Sequence, residues 1–279
     1  MGSGGADRLR GTAHSARATV LARVTSWRMR RRLARWAAGW PAASVPPLLD
    51  EDLRTTVVVP CYNHAAFLPF AVRSLLDQSL PRFDTVLVDD CSQDGTGGLL
   101  EDLAEQLRAR GTVTVVRHDQ NQGQAATLNE AIRLARTSLV TVLNDDDWLS
   151  TDTLVAVLDV LRGDPAIALV GTGSRWFEGQ GAPPESAPPD AAGVTVHRPD
   201  DVRSMRRPED LNMTHSGMTL RRSAWELVGG YRSRVDDRLV PFSDRDLQLR
   251  VAALYPVAVI DAPLVWWRSD SSVDGGVNS

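Results

Sequence analysis

The chain has 279 residues, 43% hydrophobic and 24% charged, which fits one large globular domain or two small ones. It excludes a disordered chain, a collagen-like fibre and a disulfide-stapled miniprotein. All 31 basic residues are arginine, so no mechanism can use a catalytic lysine, a P-loop lysine or a Schiff base. The net charge of −4 hides an asymmetry: residues 1–50 hold nine Arg against Asp7 and Asp50, leaving the remainder at −11. An acidic main body repels nucleic acid and suits bound metal ions.

Residues 1–50 read as a basic N-terminal extension and linker. The Gly/Ser-rich start has no apolar stretch of the secretory type. Arg17–Trp40 predicts a basic helix with Val20, Val24, Trp27, Leu33, Trp36 and Trp40 among the arginines, ended by Pro41, Pro46 and Pro47. Two readings stand: an interfacial helix on anionic lipid or a partner, or a solvated or loosely docked tail. No apolar run reaches the roughly 18–20 residues that a membrane helix needs. The expected location is cytoplasmic, with peripheral membrane contact through residues 17–40 as the option. Cys61 and Cys91 make no disulfide framework and fit a reducing compartment.

From Thr55 the pattern alternates strand and helix. Strands are expected at Thr55–Pro60, Phe83–Asp89, Thr112–Arg117, Ser138–Leu143 and Ala166–Thr172. Helices are expected over 65–79, 98–110, 124–136 and 153–161. This predicts an α/β fold with a mostly parallel sheet and helices on both faces. Ligands of such sheets sit at the carboxyl ends of the strands. Gly179–Gly193 is low in complexity and reads as a loop, either a lid or a tolerated insertion. Beyond it the pattern is less regular, with strands near 218–221, 257–260 and 264–267 and helices near 223–228 and 244–253. The main domain is expected over 51–279, with a nucleotide half at 51–150 and an acceptor half at 151–279.

Three acidic clusters carry the chemistry: Asp89–Asp90, Asn144–Asp147, and Asp244 with Asp246. The first two end parallel strands and must emerge on one sheet edge, where their repulsion calls for a cation or hydrogen-bond donors. Acid pairs also cap helices and turns, but three consecutive carboxylates exceed what a cap needs. Mg²⁺ and Mn²⁺ take oxygen ligands of this type.

The stretch VVVPCYNHAAFLPFAVRSLLDQSLPRFDTVLVDDCSQDGT (57–96) resembles the opening of the family 2 glycosyltransferases, which have the GT-A fold. NQGQAATLNEAI (121–132), VTVLNDDDW (140–148), HSGMTLRRSAWELVGGY (215–231) and SDRDLQLR (243–250) continue the resemblance in the family's order. The resemblance spans about residues 54–270. It implies that Pro60, Tyr62 and Asn63 border the nucleotide base and that Asp90 accepts from N3–H of a uracil-like base. Asn144, Asp145 and Asp146 fall on the DXD site, with Asp146 as the metal carboxylate and Asp145 near the ribose. Asn144 replaces the usual first Asp. Asp244 falls on the catalytic base, with Ser243 where a Glu is usual. Asp270 stands where the family often has a metal-ligating His. His215 matches a frequent active-site His, and Asp246 is either a further site residue or support for a helix N-terminus. His64 reads as a surface or capping residue. Trp266 and Trp267 either stack on a sugar or pack in the core.

The implied reaction moves a sugar from a nucleotide-diphospho-sugar, UDP- or dTDP-linked, to an acceptor hydroxyl or amine, with inversion and a Mn or Mg divalent cation. The acceptor and the oligomeric state stay open. The alternative is a non-catalytic sugar-nucleotide-binding or scaffold protein of the same descent. A nucleotidyltransferase would need a Gly-rich basic phosphate loop, which PCYNHAAF lacks.

Overall fold

A computed structural model describes residues 31–40, 46–47, 53–179, 181–183, 193–205, 207, 210–235, 238–240 and 242–269. Residues 31–37 are helical (α1). Then follow β1 (Thr55–Cys61), α2 (Leu68–Leu76), β2 (Asp84–Asp89), α3 (Thr96–Leu107), β3 (Val113–Arg117), α4 (Gln124–Leu134) and β4 (Leu139–Val142). The second half holds β5 (Trp148–Leu149), α5 (Thr153–Gly163), β6 (Leu169–Phe177), β7 (Val194–His197), α6 (Pro199–Ser204), β8 (Thr219–Arg221) and α7 (Arg222–Val228). A two-strand ribbon, β9 (Arg234–Val235) with β10 (Arg238–Leu239), then precedes α8 (Ser243–Ala252) and β11 (Val257–Arg268).

The main sheet runs β3-β2-β1-β4-β8-β6-β11-β5, with β7 paired to β11. β3, β2, β1 and β4 are mutually parallel, and β6 is parallel to β11. β8 is antiparallel to both neighbours and joins the two parallel groups. The architecture is the GT-A fold.

β1 shows why the layers form. Its residues are all buried, and successive side chains leave opposite faces. Val57, Val59 and Cys61 pack with Leu68, Val72 and Leu75 of α2 and Leu100 and Leu107 of α3. Val58 turns the other way, into a cluster with Leu128 and Ile132 of α4, Trp225 of α7 and Leu247 of α8. A strand buried on both faces reads as a continuous apolar run. α5 covers the β6–β11 region through Val157, Leu158 and Leu161 against Val170, Ala258 and Ile260.

Several expectations shift. The fifth strand runs to Phe177 rather than Thr172. The two late strands are one, β11, whose register shifts on either side of Pro263. Proline has no N–H for the ladder, so the pairing slips there while the strand continues. The short β5, β7, α6 and the β9–β10 ribbon have too few residues for a hydrophobic period. Positions 180 and 184–192 of the low-complexity loop lie outside the described residues.

The described end of the basic segment docks on the main body. Leu33, Trp36 and Trp40 pack against the cluster of α4, α7 and α8, and Tyr255 Oη donates to the Pro46 carbonyl at 2.9 Å. Half of the apolar side chains proposed for a lipid face are thus engaged by protein, while Val20, Val24 and Trp27 lie outside the described residues. Among the described residues no helix is long and apolar enough to cross a membrane.

Candidate active site

Strand order reverses between β1 and β4: the chain steps outward from β1 to β2 and β3, then returns to β1's other side. Such a reversal opens a crevice at the carboxyl ends, and the loops 62–65 and 144–147 meet there. Tyr62 N–H donates to Asp145 Oδ2 at 2.9 Å, and the His64 ring donates through Nδ1 to Asp145 Oδ1 at 2.8 Å. Asn63 sits at φ 54, a left-handed turn that asparagine tolerates better than most residues. Its side-chain oxygen accepts from Gln93 N–H at 2.7 Å, and its N–H donates to Ser92 Oγ at 2.9 Å. The loops after β1 and β2 are thereby stitched together.

Asp145 is buried. Burial raises its carboxyl pKa, the His64 contact opposes this, and the adjacent Asp146 charge adds to it. His64, Asp145 and Asp146 offer ligand atoms that all lie within 4.8 Å of one another. Beside them the buried Oδ1 of Asn144 has no hydrogen-bond partner, an unmet acceptor of the kind that native structures rarely leave. Two carboxylates, an imidazole and a spare amide oxygen form a donor set that fits Mn²⁺ or Mg²⁺. His64, read from sequence as a capping residue, thus belongs to this group. The signal was its place three residues after the strand end, and only the fold brings Asp145 to it.

Asp147 braces the loop. Its Oδ2 accepts from Ser216 Oγ at 2.5 Å and Asn144 Nδ2 at 3.2 Å, and its Oδ1 accepts from Arg268 N–H at 3.2 Å. Burial, then the Asp146 charge, pushes its carboxyl up to about 7. Arg268 locks the same loop from β11. Its guanidinium lies 4.6 Å and 4.4 Å from the Phe67 and Phe177 ring centres, and Nε donates to the Asp146 carbonyl at 3.1 Å. The sequence placed Asp147 in its acidic cluster without a role of its own and gave Arg268 none, because their partners are distant in the chain. Asp270, two residues on, lies outside the described residues.

Asp90 directly follows β2 and sits in a dense set of donors. Oδ1 accepts from the Gln122 N–H and the His118 ring, both at 2.7 Å, and Oδ2 from the Gly123 N–H at 2.8 Å. Gly123 has φ 83, a conformation that costs glycine little and turns its N–H onto Asp90. Among the described residues Oδ2 accepts this one hydrogen bond, one fewer than its two lone pairs allow. The other His118 nitrogen meets Glu130 Oε2 at 2.8 Å. Both ring nitrogens face carboxylates, which only accept, so both must donate and His118 is held as an imidazolium. Burial opposes this charge, but the two carboxylates outweigh it and raise the His118 pKa.

A cleft of about 520 Å³ opens on the other side of the 144–147 loop. Asn144, Asp147, His215, Ser216, Phe242, Ser243 and Asp244 line it, with Ser174 of β6 and Val265 and Trp267 of β11. Asp244 stands in the first turn of α8. His215 is 2.8 Å from the Tyr231 hydroxyl through Nε2, and burial lowers its pKa although the Asp244 charge pulls the other way. Gly217 packs closely here: at φ 77, a Cβ there would lie 2.6 Å from Val265 Cγ2.

Asp246 does not line the cleft. Its carboxylate is taken by Arg232 at 3.1 Å and by Arg250 at 2.9 Å, and Arg250 Nη2 donates to the Gly230 carbonyl at 2.6 Å. Trp266 is buried against Phe177, whereas Trp267 is exposed and lines the cleft. Cys61 is buried and Cys91 partly so, both as free thiols, and burial raises the Cys61 pKa.

The chain matches the family described as Glycosyl transferase family 2 over residues 56–227. It is 32% identical over 125 residues to the succinoglycan biosynthesis protein ExoO of Rhizobium meliloti, covering 45% of this chain and 34% of that protein. Its fold is similar to S. aureus TarS 1–349 in complex with UDP, with TM-score 0.59 and 18% identity over 77% of this chain and 60% of the other. It is also similar to the mannosyltransferase PcManGT from Pyrobaculum calidifontis in complex with GDP-Man and Mn²⁺, with TM-score 0.59 and 21% identity over 92% and 68%. The chain spans half the length or less of the curated relatives it matches. With more than half of its residues inside the family match, the chain belongs to the family 2 glycosyltransferases.

Proposed function

We propose that this protein is an inverting, metal-dependent glycosyltransferase that moves a sugar from a nucleotide-diphospho-sugar to an acceptor hydroxyl or amine. The carrying observation is that Asp244 lines one cleft of about 520 Å³ together with Asn144 and Asp147, the two ends of the loop whose Asp145 and Asp146 group with His64. The fold neighbours support the donor class, since they include complexes with UDP, UDP-GlcNAc and GDP-Man.

In this reading the base sits between Pro60, Tyr62 and Asn63, and Asp90 Oδ2 accepts from N3–H. That favours UDP or dTDP over cytosine nucleotides, which lack this proton. Asp146, with Asp145 and His64, holds Mn²⁺ or Mg²⁺, which when bound offsets charge developing on the departing diphosphate. Asp244 takes the proton of the attacking acceptor. Attack from the face opposite the leaving group inverts the anomeric centre, and no covalent intermediate is needed. Neutral His215 offers hydrogen bonds to sugar hydroxyls without adding charge beside the base. Domain 51–279 carries all of these groups. Residues 1–50 act as an appendage whose end, at Leu33, Trp36 and Trp40, rests on that domain.

The test is thermal unfolding with UDP, dTDP, GDP and ADP, with and without Mn²⁺, beside Asp146→Ala. Stabilisation by UDP or dTDP that needs Mn²⁺ and vanishes in the variant supports the donor site. A GDP-only effect overturns the role of Asp90. No effect from any nucleotide on folded protein favours a non-catalytic scaffold.

A further inference from the structure

The cleft has an aromatic end that the donor does not account for. β6 and β11 run parallel, with Val265 opposite Ser174 and Trp267 opposite Trp176. Residues two apart share a sheet face, and opposed residues lie side by side. Ser174, Val265 and Trp267 line the cleft, so Trp176 extends the same floor outward. The two indoles are 66% and 51% exposed, although a tryptophan in a protein surface is normally largely covered. The intervening residues serve the opposite face, where Trp266 meets Phe177 and carries Arg175 at 5.5 Å. Across the cleft, Phe242 is 54% exposed and stands two residues before Asp244.

We infer that Trp176, Trp267 and Phe242 form the acceptor subsite and that its occupant is an uncharged pyranose of a glycan chain, stacked on the indoles. This rests on the glycosyltransferase reading of the cleft. A pyranose has an apolar C–H face that covers an indole, and hydroxyls at its edge that need polar partners. Ser174, Thr214 and Gln124 supply such partners around the floor. Among the described lining residues the ionisable acids are Asp147 and Asp244, and their charge disfavours a phosphate- or carboxylate-bearing acceptor. Stacking in front of Phe242 brings a ring hydroxyl toward Asp244, where its proton is to be taken.

The experiment uses the full chain on an array of neutral, sulfated and phosphorylated oligosaccharides, with Trp267→Ala, Trp176→Ala and Trp267→Phe, in the presence of UDP and Mn²⁺. Wild type is expected to retain neutral glycans. Each alanine variant should lose about tenfold in affinity, as for a buried aromatic anchor, while Trp267→Phe keeps most of it. UDP stabilisation should be unchanged throughout, which shows that the variants fold and separates this inference from the donor reading. Three results overturn it: retention of anionic glycans only, neutral-glycan binding that survives both alanine changes, or loss of self-association or vesicle binding as the only effect of those changes. Failure of UDP to stabilise wild type would instead strike the glycosyltransferase reading, and the array is read independently of it.

Discussion

The His64 ring stands 2.8 Å from the Asp145 carboxylate, joining the loop after β1 to the loop after β4. Asp145 is a buried acid beside Asp146, so its readiness to ionise depends on that ring. Removing an outer partner of a metal-binding carboxylate typically costs about 10- to 100-fold in metal affinity. His64→Ala is therefore expected to need at least about tenfold more Mn²⁺ for the same nucleotide-dependent stabilisation. An unchanged Mn²⁺ titration would remove His64 from the cation group.

His118 lies between Asp90 and Glu130 with its side chain 4% exposed. Its pKa is raised in the folded state, so its stabilisation is complete below the unfolded value of about 6.5 and is lost as pH rises through the folded pKa. His118→Ala is expected to cost about 2 kcal/mol at pH 5.5–6, the worth of hydrogen bonds between charged groups, and less above the folded pKa. Thermal unfolding of both proteins across pH 5.5–9 checks this. A difference that grows with pH would contradict the imidazolium assignment.

Asp244 lines the cleft from the first turn of α8, and in the proposed reaction it acts on the acceptor. Asp244→Asn keeps its shape and removes its basicity. We expect kcat to fall by about 10²- to 10⁴-fold, with UDP–Mn²⁺ stabilisation retained. Loss of nucleotide binding together with turnover would point to a donor-side role instead.

Asp246 pairs with Arg232 and the fully buried Arg250. Burial holds the Arg250 pKa down to about 10 against the pull of Asp246, so taking away the acid strands a buried cation. Asp246→Ala should destabilise the fold by about 3–5 kcal/mol in urea unfolding. A change under about 1 kcal/mol, well short of that range, would reopen a site role for Asp246.

The strands and helices of the first half were legible because each is long enough to show its own period: TTVVVPC is buried throughout, and α4 repeats apolar residues on one face. The late half was less so. β5 has two residues and β7 four, and their conformation is set by pairing with β11 rather than by local preference. The acid clusters were legible as clusters, but which acid braces and which faces the cleft was not. Asp147 and Asp145 are neighbours in the same loop, yet one is held by Ser216 and Arg268 and the other by His64 and Tyr62.

The amino-acid order alone determined the family, the α/β alternation and the placing of carboxylates at strand ends, since these depend on residue type and short spacing. Tertiary structure decided what long-range neighbours decide. It made His118 an imidazolium by setting two carboxylates against it, paired Asp246 with Arg250, and set His64 against Asp145 and Asp146. It also buried Trp266 while leaving Trp267 beside Trp176. Adjacent residues of a strand share every local preference, and only the two sheet faces, one packed and one open, tell them apart.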